Sequence, residues 1–420
     1  MNKSGKEVAE RLDQEDILAH YRQHFVIADP DQIYLDGNSL GRLSLVAQER
    51  LQKVIQVEWG ERLIQSWNDS WMEASTRIGD KIALLIGAAP GEVVLADTTS
   101  VNLFKLAAGA LLDQPDRNKI VTDDLNFPSD LYILDGVCKL LGNRHLEIVS
   151  SDDGIHGPVE KIISTLDHHT ALLTLSHTTF KSGYFYDMQR LTEAAQRYGA
   201  FVLWDLSHSV GVIPLLLNDS RVDLAVGCTY KYLNGGPGSP AFIYVRQDLQ
   251  DRLSNPISGW MGHDNIFAFH QEYRPATDIR RFLSGTPPVL ALSALEASLE
   301  ILLEAGIDRI REKSVRLTNY LVELWQVMLR SYGYHLNSPT DAQWRGSHVS
   351  LGHEEALRID MALIAEMNVI PDFREPDNLR LGFAPLYTSF QDIYEAVTRM
   401  QRVVKDGLYK KYKPIAGLVT

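Results

Sequence analysis

Phe201-Val-Leu-Trp-Asp205 and Leu224-Ala-Val-Gly-Cys-Thr-Tyr-Lys231 decide the fold. Each begins as a short apolar run, the pattern of a strand buried on both faces, and each runs out into a charged residue. The spacing between Asp205 and Lys231 suits one helical crossover between two adjacent parallel strands, which brings an acid and an amine to the same sheet edge. Outward from this pair the pattern repeats. Glu92-Val-Val-Leu-Ala96, Lys119-Ile-Val-Thr122, Leu146-Glu-Ile-Val149 and Ala171-Leu-Leu-Thr-Leu175 read as further strands. Val101 to Leu112 and Met188 to Tyr198 read as helices between them. Ala241-Phe-Ile-Tyr-Val245 follows a Gly/Pro-rich loop too short for a crossover helix, so it joins the sheet antiparallel.

The expected fold is α/β: a mostly parallel seven-stranded sheet with helices on both faces, plus a smaller α+β domain. Leu295, Leu299, Leu302 and Leu303 recur at helical spacing in a long amphipathic stretch, Ser293 to Arg330, and Leu379-Arg-Leu-Gly-Phe383 reads as a late strand before a helix from Ser389. The expected division is residues 1–50 as an N-terminal segment packing with the small domain, 51–305 as the large domain and 306–420 as the small one.

The balance of 54 acidic against 41 basic residues, a net charge of -13, disfavours nonspecific binding to nucleic acid or an anionic membrane. Two cysteines, Cys138 and Cys228, each in an apolar stretch, exclude a disulfide framework. With no signal-peptide core in Met1 to Phe25 and no membrane-length apolar run, the expectation is a soluble cytoplasmic protein. His20 and His24 are four apart, but no convincing acidic ligand, H-E-x-x-H or C-x-x-C accompanies them, so no metal site is expected.

In an open α/β sheet ligands sit outside the carboxyl ends of the strands. Four such ends carry unusual polar residues here. Asp97-Thr-Thr-Ser-Val-Asn102 joins a strand to a helix, and its hydroxyls either cap that helix or help its free N–H groups hold a phosphate. Asn126-Phe-Pro-Ser-Asp130 offers an aromatic platform with an acid beside it, and equally reads as a helix start with Pro128 in the first turn. Asp205 in Trp204-Asp-Leu-Ser-His208 is costly at a dry strand end unless a cation or a protonated ring nitrogen meets it; a structural helix cap is the plainer alternative. Lys231, in Thr229-Tyr-Lys-Tyr-Leu-Asn-Gly235, is a poor core residue whose amine is accounted for by condensation with an aldehyde cofactor. Taken together these are the parts of a pyridoxal-phosphate site.

The order of Leu35-Asp-Gly-Asn-Ser-Leu-Gly41, Asn126-Phe-Pro-Ser-Asp130, Trp204-Asp-Leu-Ser-His208, Tyr230-Lys-Tyr-Leu-Asn-Gly235, Ser258-Gly-Trp-Met-Gly262 and Gly285-Thr-Pro-Pro288 resembles the kynureninase family, from about residue 30 to residue 400. The resemblance implies an aspartate-aminotransferase-like fold and a homodimer with shared active sites. It implies hydrolytic cleavage of L-kynurenine to anthranilate and L-alanine in tryptophan catabolism, and more weakly of 3-hydroxykynurenine. Lys231 would carry pyridoxal 5'-phosphate and move the Cα proton, Asp205 would pair with the pyridine nitrogen, and Phe127 would stack on the ring with Asp130 beside it. Thr99, Ser100, His208 and Tyr230 would complete the cofactor contacts, Tyr230 also managing a proton in catalysis. Trp260 and Thr286 would reach a site from the partner chain. Arg380 would clamp the substrate carboxylate, with Asn38 and Trp67 also at the substrate; Trp67 and Trp71 read equally as helix packing. Arg380 lies between apolar residues on a strand, which argues for burial rather than a surface ion pair.

Three rivals stand beside this reading. A cysteine desulfurase would want a mobile cysteine in a late loop, whereas both cysteines here precede Lys231. A small-substrate aminotransferase would consume a keto acid. A noncatalytic binding protein on the same fold would have no use for an electron sink.

Overall fold

The computed structural model describes residues 5–413. A two-residue strand, β1 (Ile33–Tyr34), precedes seven strands of one sheet: β2 (Val93–Ala96), β3 (Lys119–Asp123), β4 (His145–Val149), β5 (Thr170–Ser176), β6 (Phe201–Asp205), β7 (Leu224–Gly227) and β8 (Ala241–Val245). Their order across the sheet is β2-β8-β7-β6-β5-β3-β4. All are parallel except β8, which runs antiparallel to both its neighbours, β7 and β2. The antiparallel strand expected from the short loop is therefore present, and it lies inside the sheet.

Apolar residues of both parities are needed because both faces are covered. Val202, Trp204 and Ala225 point into one layer, against the helices Ala74–Ile86, Met188–Gln196 and Val289–Ala305. Leu203, Leu224 and Val226 point into the other, against the helices Thr99–Asp113 and Pro128–Leu141. The edge strand β4 is the exception: His145, Glu147 and Ile148 are exposed, as an edge with one covered face allows.

One expectation fails. Residues 206–223, between β6 and β7, form successive turns in place of a crossover helix. Gly211, at φ +87°, and Pro214, which has no N–H to donate, break the helical ladder after a single turn in which Val210 N donates to Leu206 O. The two strands are still adjacent and parallel, with Asp205 opposite Val226.

Beyond Val289–Ala305 and a second long helix, Ile307–Leu324, come β9 (His335–Leu336), β10 (His348–Gly352), β11 (Val369–Ile370), β12 (Asp372–Arg374) and β13 (Asn378–Gly382). Four of these form an antiparallel sheet in the order β12-β13-β10-β9, while β11 pairs in parallel with β1. The N-terminal segment is thus stitched to the C-terminal part of the chain. Alternation sorts the small sheet: Leu379 and Leu381 enter a third apolar cluster with Val349, Leu351 and Ile393, which leaves Arg380 on the opposite face. Ser389 closes the N-terminus of the last helix, Phe390–Lys405, in a reciprocal cap with Asp392. Among the described residues no helix is long and apolar enough to cross a membrane.

Gly79 lets the helix Ala74–Ile86 lie directly on β2, since a Cβ there would stand 2.2 Å from Val93 O. In open helix Gly→Ala stabilises by roughly 0.5–1 kcal/mol; against backbone it overpacks at a cost of about 1–3 kcal/mol. Gly79→Ala is therefore expected to lower the urea midpoint. A raised midpoint would contradict this packing.

Candidate active site

The chain reverses its winding at β3, which lies between β4 and β5, and the polar strand ends gather on the carboxyl side of that switch. At the end of β2, Thr98 Oγ1 accepts from Val101 N and caps the helix Thr99–Asp113, leaving Thr99 and Ser100 in its open first turn. After β3, Pro128 opens the helix Pro128–Leu141. Ser129 Oγ of that helix lies 3.2 Å from Ser100 Oγ, so two long helices present hydroxyls and free N–H groups side by side. Asn126 fixes this corner, accepting from Phe127 N at 2.9 Å and from Ser176 Oγ at 2.6 Å. Phe127 is 42% exposed and meets Phe180 in a T-shaped pair with centroids 5.3 Å apart, so much of its ring stays open to a planar ligand.

Asp205 is buried at the end of β6, where it accepts from Ser207 N at 2.8 Å and Ser207 Oγ at 2.5 Å. Ser207 Oγ also accepts from Cys228 N at 3.1 Å, tying the two strand ends together. Lys231 Nζ lies 3.1 Å from His208 Nε2. The backbone beside it is gripped by Gly41, whose N donates to Tyr230 O at 2.8 Å; a Cβ on Gly41 would stand 2.3 Å from Lys231 O. From the small sheet, Arg380 donates to Phe180 O and to Ser39 Oγ, both at 2.7 Å, and pairs with Asp372.

These groups close a cavity of about 220 Å³ lined by Thr99, Ser100, Phe127, Asp130, Asp205 and His208, with Tyr230, Lys231 and Arg380 completing it. Nine of the sequence-derived site residues thus meet at one place. Four do not line it. Asn38 is fully buried with both amide atoms unpartnered, pressed against Gly382. Trp67 is half-buried and packs edge-on against Trp71 at 5.7 Å, the helix-packing alternative. Trp260 is 41% exposed and Thr286 is exposed.

Sequence reasoning missed Ser39, Ser129, Ser207, His348 and Arg374. The first three stood inside quoted motifs and were passed over as small residues. Arg374 was legible as the polar position of an alternating Asp372-Phe373-Arg374. His348 carried no signal; it is buried against His208, ring centroids 5.5 Å apart, with both nitrogens unpartnered.

Burial pushes His208 well below the usual imidazole range, and the charges of Lys231, His348 and Arg380 push the same way, so it stays neutral and can accept from the amine. Asp130 is pushed well up by burial and by the negative charge of Asp205, which Lys231 only partly offsets; its Oδ2 has no protein partner. Tyr230 is pushed up by its neighbour Cys228 and by burial, which keeps its proton on. A set comprising one amine, two neighbouring buried acids, an aromatic platform and a double helix-terminus cradle fits pyridoxal phosphate, and the unpartnered Asp130 oxygen is a place left for a ligand. No group of three or more His, Cys, Asp or Glu among the described residues is placed to hold a metal ion.

Behind Arg380 lies a cluster of acids. Burial, reinforced by the charge of Asp372, pushes Asp36 up to about 7 and Asp360 up to about 8.

The chain is 43% identical over 392 residues to a kynureninase of Pseudomonas fluorescens, covering 92% of each, and 43% identical over 404 residues to one of Burkholderia pseudomallei (strain 1106a), covering 95% of each. Residues 310–400 match the model of the kynureninase C-terminal domain. Among solved structures it is similar to the cysteine desulfurase of Thermococcus onnurineus NA1 (TM-score 0.75, 18% identity, 94% of this chain and 98% of that one). It is also similar to a cysteine desulfurase of Escherichia coli (TM-score 0.77, 18% identity, 92% and 98%). At that identity the likeness shows the fold.

Asp36 and Asp360 keep protons in the folded chain to far higher pH than the ordinary carboxyl value of 3.8, to which they return on unfolding. Their raised values mean stability that is complete below about pH 4 and is lost as pH rises through 7 to 8. Asp360→Asn, which keeps the neutral shape, is expected to melt above the wild type at alkaline pH, with the difference shrinking as pH falls and closing near pH 4, by calorimetry. Parallel curves for the two proteins would refute the assignment.

Proposed function

This chain belongs to the kynureninase family, and on that footing we propose that it hydrolyses the Cβ–Cγ bond of L-kynurenine, giving anthranilate and L-alanine, with pyridoxal phosphate as its cofactor. The observation that carries the reading is the meeting of Lys231, neutral His208 and buried Asp205 at one sheet edge, facing Arg380 across the cavity.

Bound there, pyridoxal phosphate supplies an aldehyde for the substrate amine and an electron sink for the carbanion at Cα. The helix start at Thr99 and Ser100 would hold its phosphate, and Phe127 would offer its ring a stacking surface. Asp205, fixed by two bonds from Ser207, keeps the pyridine nitrogen protonated. Lys231, freed when the substrate amine displaces it, takes the Cα proton, and neutral His208 orients it by accepting a hydrogen bond from its amine. Tyr230, which keeps its proton, donates at the carbon left when Cβ–Cγ breaks after water adds to the γ-carbonyl. Arg380 takes the α-carboxylate, its buried Nε lacking any protein acceptor. Asn38, with its amide unpartnered, belongs to the same substrate end.

We further infer a homodimer in which Trp260 and Thr286, both outward-facing, enter the partner's site, and Trp67 lies near the substrate's aromatic end. Exposed Ile55, Trp59, Leu63 and Ile64 support a covered surface beside Trp67. The unsubstituted substrate is preferred over its 3-hydroxylated form, the setting is the cytoplasm, and the chain divides at about residues 50 and 305. A desulfurase is disfavoured because Cys138 and Cys228 are both buried and burial raises both thiols.

The test is the fluorescence of anthranilate released by the holoenzyme from L-kynurenine. Equal anthranilate and alanine are expected from the wild type and none from Lys231→Ala. Asp205→Asn is expected to lower kcat on the order of 100-fold or more, with little change in Tm. Cofactor absorbance without anthranilate release would remove the kynurenine assignment and leave the cofactor site standing.

A further inference from the structure

Asp372 and Arg380 are directly opposed residues of the antiparallel pair β12–β13, and Arg374 lies two positions along β12, on the same face. Asp372 pairs with both guanidiniums, with Arg374 at 3.0 Å and with Arg380 in closer contact. The side chains of Asp372 and Arg380 are 3% and 2% exposed, whereas that of Arg374 is 38% exposed. Both arginines line the catalytic cavity, and Asp372 sits behind them.

A buried guanidinium chooses its rotamer by the acceptors it finds. Arg380 finds two hydrogen-bond acceptors, Phe180 O and Ser39 Oγ, and one ion-pair partner, Asp372, the only charged group of the three. The charge count is also informative. Two arginines share one carboxylate, so the wall carries one net positive charge. Of the neighbouring acids, Asp360, pushed up to about 8, stays mostly protonated at neutral pH, and Asp36, pushed up to about 7, is only half ionised there, so together they do not fully cancel it.

We propose that Asp372 is the positioning residue of the carboxylate clamp: it fixes Arg380 on the cavity wall and cancels one of two positive charges, so that the site answers a single carboxylate. The proposal rests on the reading of the cavity as one that takes an α-amino acid. It does not depend on kynurenine being that amino acid.

The experiment uses the holoenzyme and a pair of simple probes, L-alanine and ethylamine, which offer the same amine with and without a carboxylate. Their dissociation constants are read from the change in cofactor absorbance for the wild type, Asp372→Asn and Asp372→Glu. Asp372→Asn is expected to weaken L-alanine by at least about tenfold, the scale of losing one partner of a buried charge pair, and to leave ethylamine unchanged. Asp372→Glu, which keeps the charge on a longer arm, is expected to retain part of the discrimination and serves if the asparagine variant does not fold. With kynurenine, KM should rise while kcat stays within a few-fold. Equal weakening of both probes, or of neither, would overturn the proposal. If the wild type discriminates the probes but releases no anthranilate, the kynurenine reading fails and the role of Asp372 stands.

Discussion

The parallel register of β6 with β7, which sets Asp205 opposite Val226, is the constraint on which the site depends. Parallel neighbours leave a sheet at the same end, so whatever follows Asp205 and whatever follows Gly227 must share one corner. His208 and Lys231 are those followers, 3.1 Å apart. A one-residue slip would turn Trp204 out of its layer and aim Asp205 into the opposite one. The apolar alternation that holds the strand therefore also aims the carboxylate. Ser207, bonded to Asp205 and to the backbone of Cys228, locks the register where the ladder ends.

The same corner is too dry to hold its charges independently. Burial first, and then the charge of Asp205, pushes Asp130 up; burial first, and then the charge of Lys231, pushes His208 down. Dryness and neighbouring charge act in the same direction on each, so the site favours a donor acid and an acceptor imidazole beside the amine. The small sheet solves the opposite problem. Its leucines take one face, and the face left over carries Asp372 between two arginines, polar groups that bury only because they meet each other.

What could be read in the sequence followed from this division. Strands buried on both faces announce themselves as apolar runs, and a charge at the end of such a run, like Asp205 or Lys231, is conspicuous because it is expensive there. The connection between β6 and β7 was misread because length alone was used, while Gly211 and Pro214 carried the contrary signal. Ser207 and Ser39 were invisible in another way: a serine is cheap anywhere, and only its partners reveal a function. His348 reaches the site through tertiary packing from β10, about which neither spacing nor composition says anything. Arg380 was legible because an arginine between leucines on a strand has few bland explanations, whereas its partner Asp372 lies in a mixed stretch that shows no pattern until the strands pair.

The segment from β1 to Gly41 touches both halves of the machinery: Gly382 N donates to Leu35 O beside the arginine strand, and Gly41 N donates to Tyr230 O beside the lysine. Its strand β1 pairs with Val369 and Ile370, far along the chain. Such contacts join residues far apart in sequence, and the loop entropy of closing them has to be overcome before they stabilise anything. One short segment therefore couples the two sheets: whatever loosens β1 from its partner loosens both walls of the cavity at once.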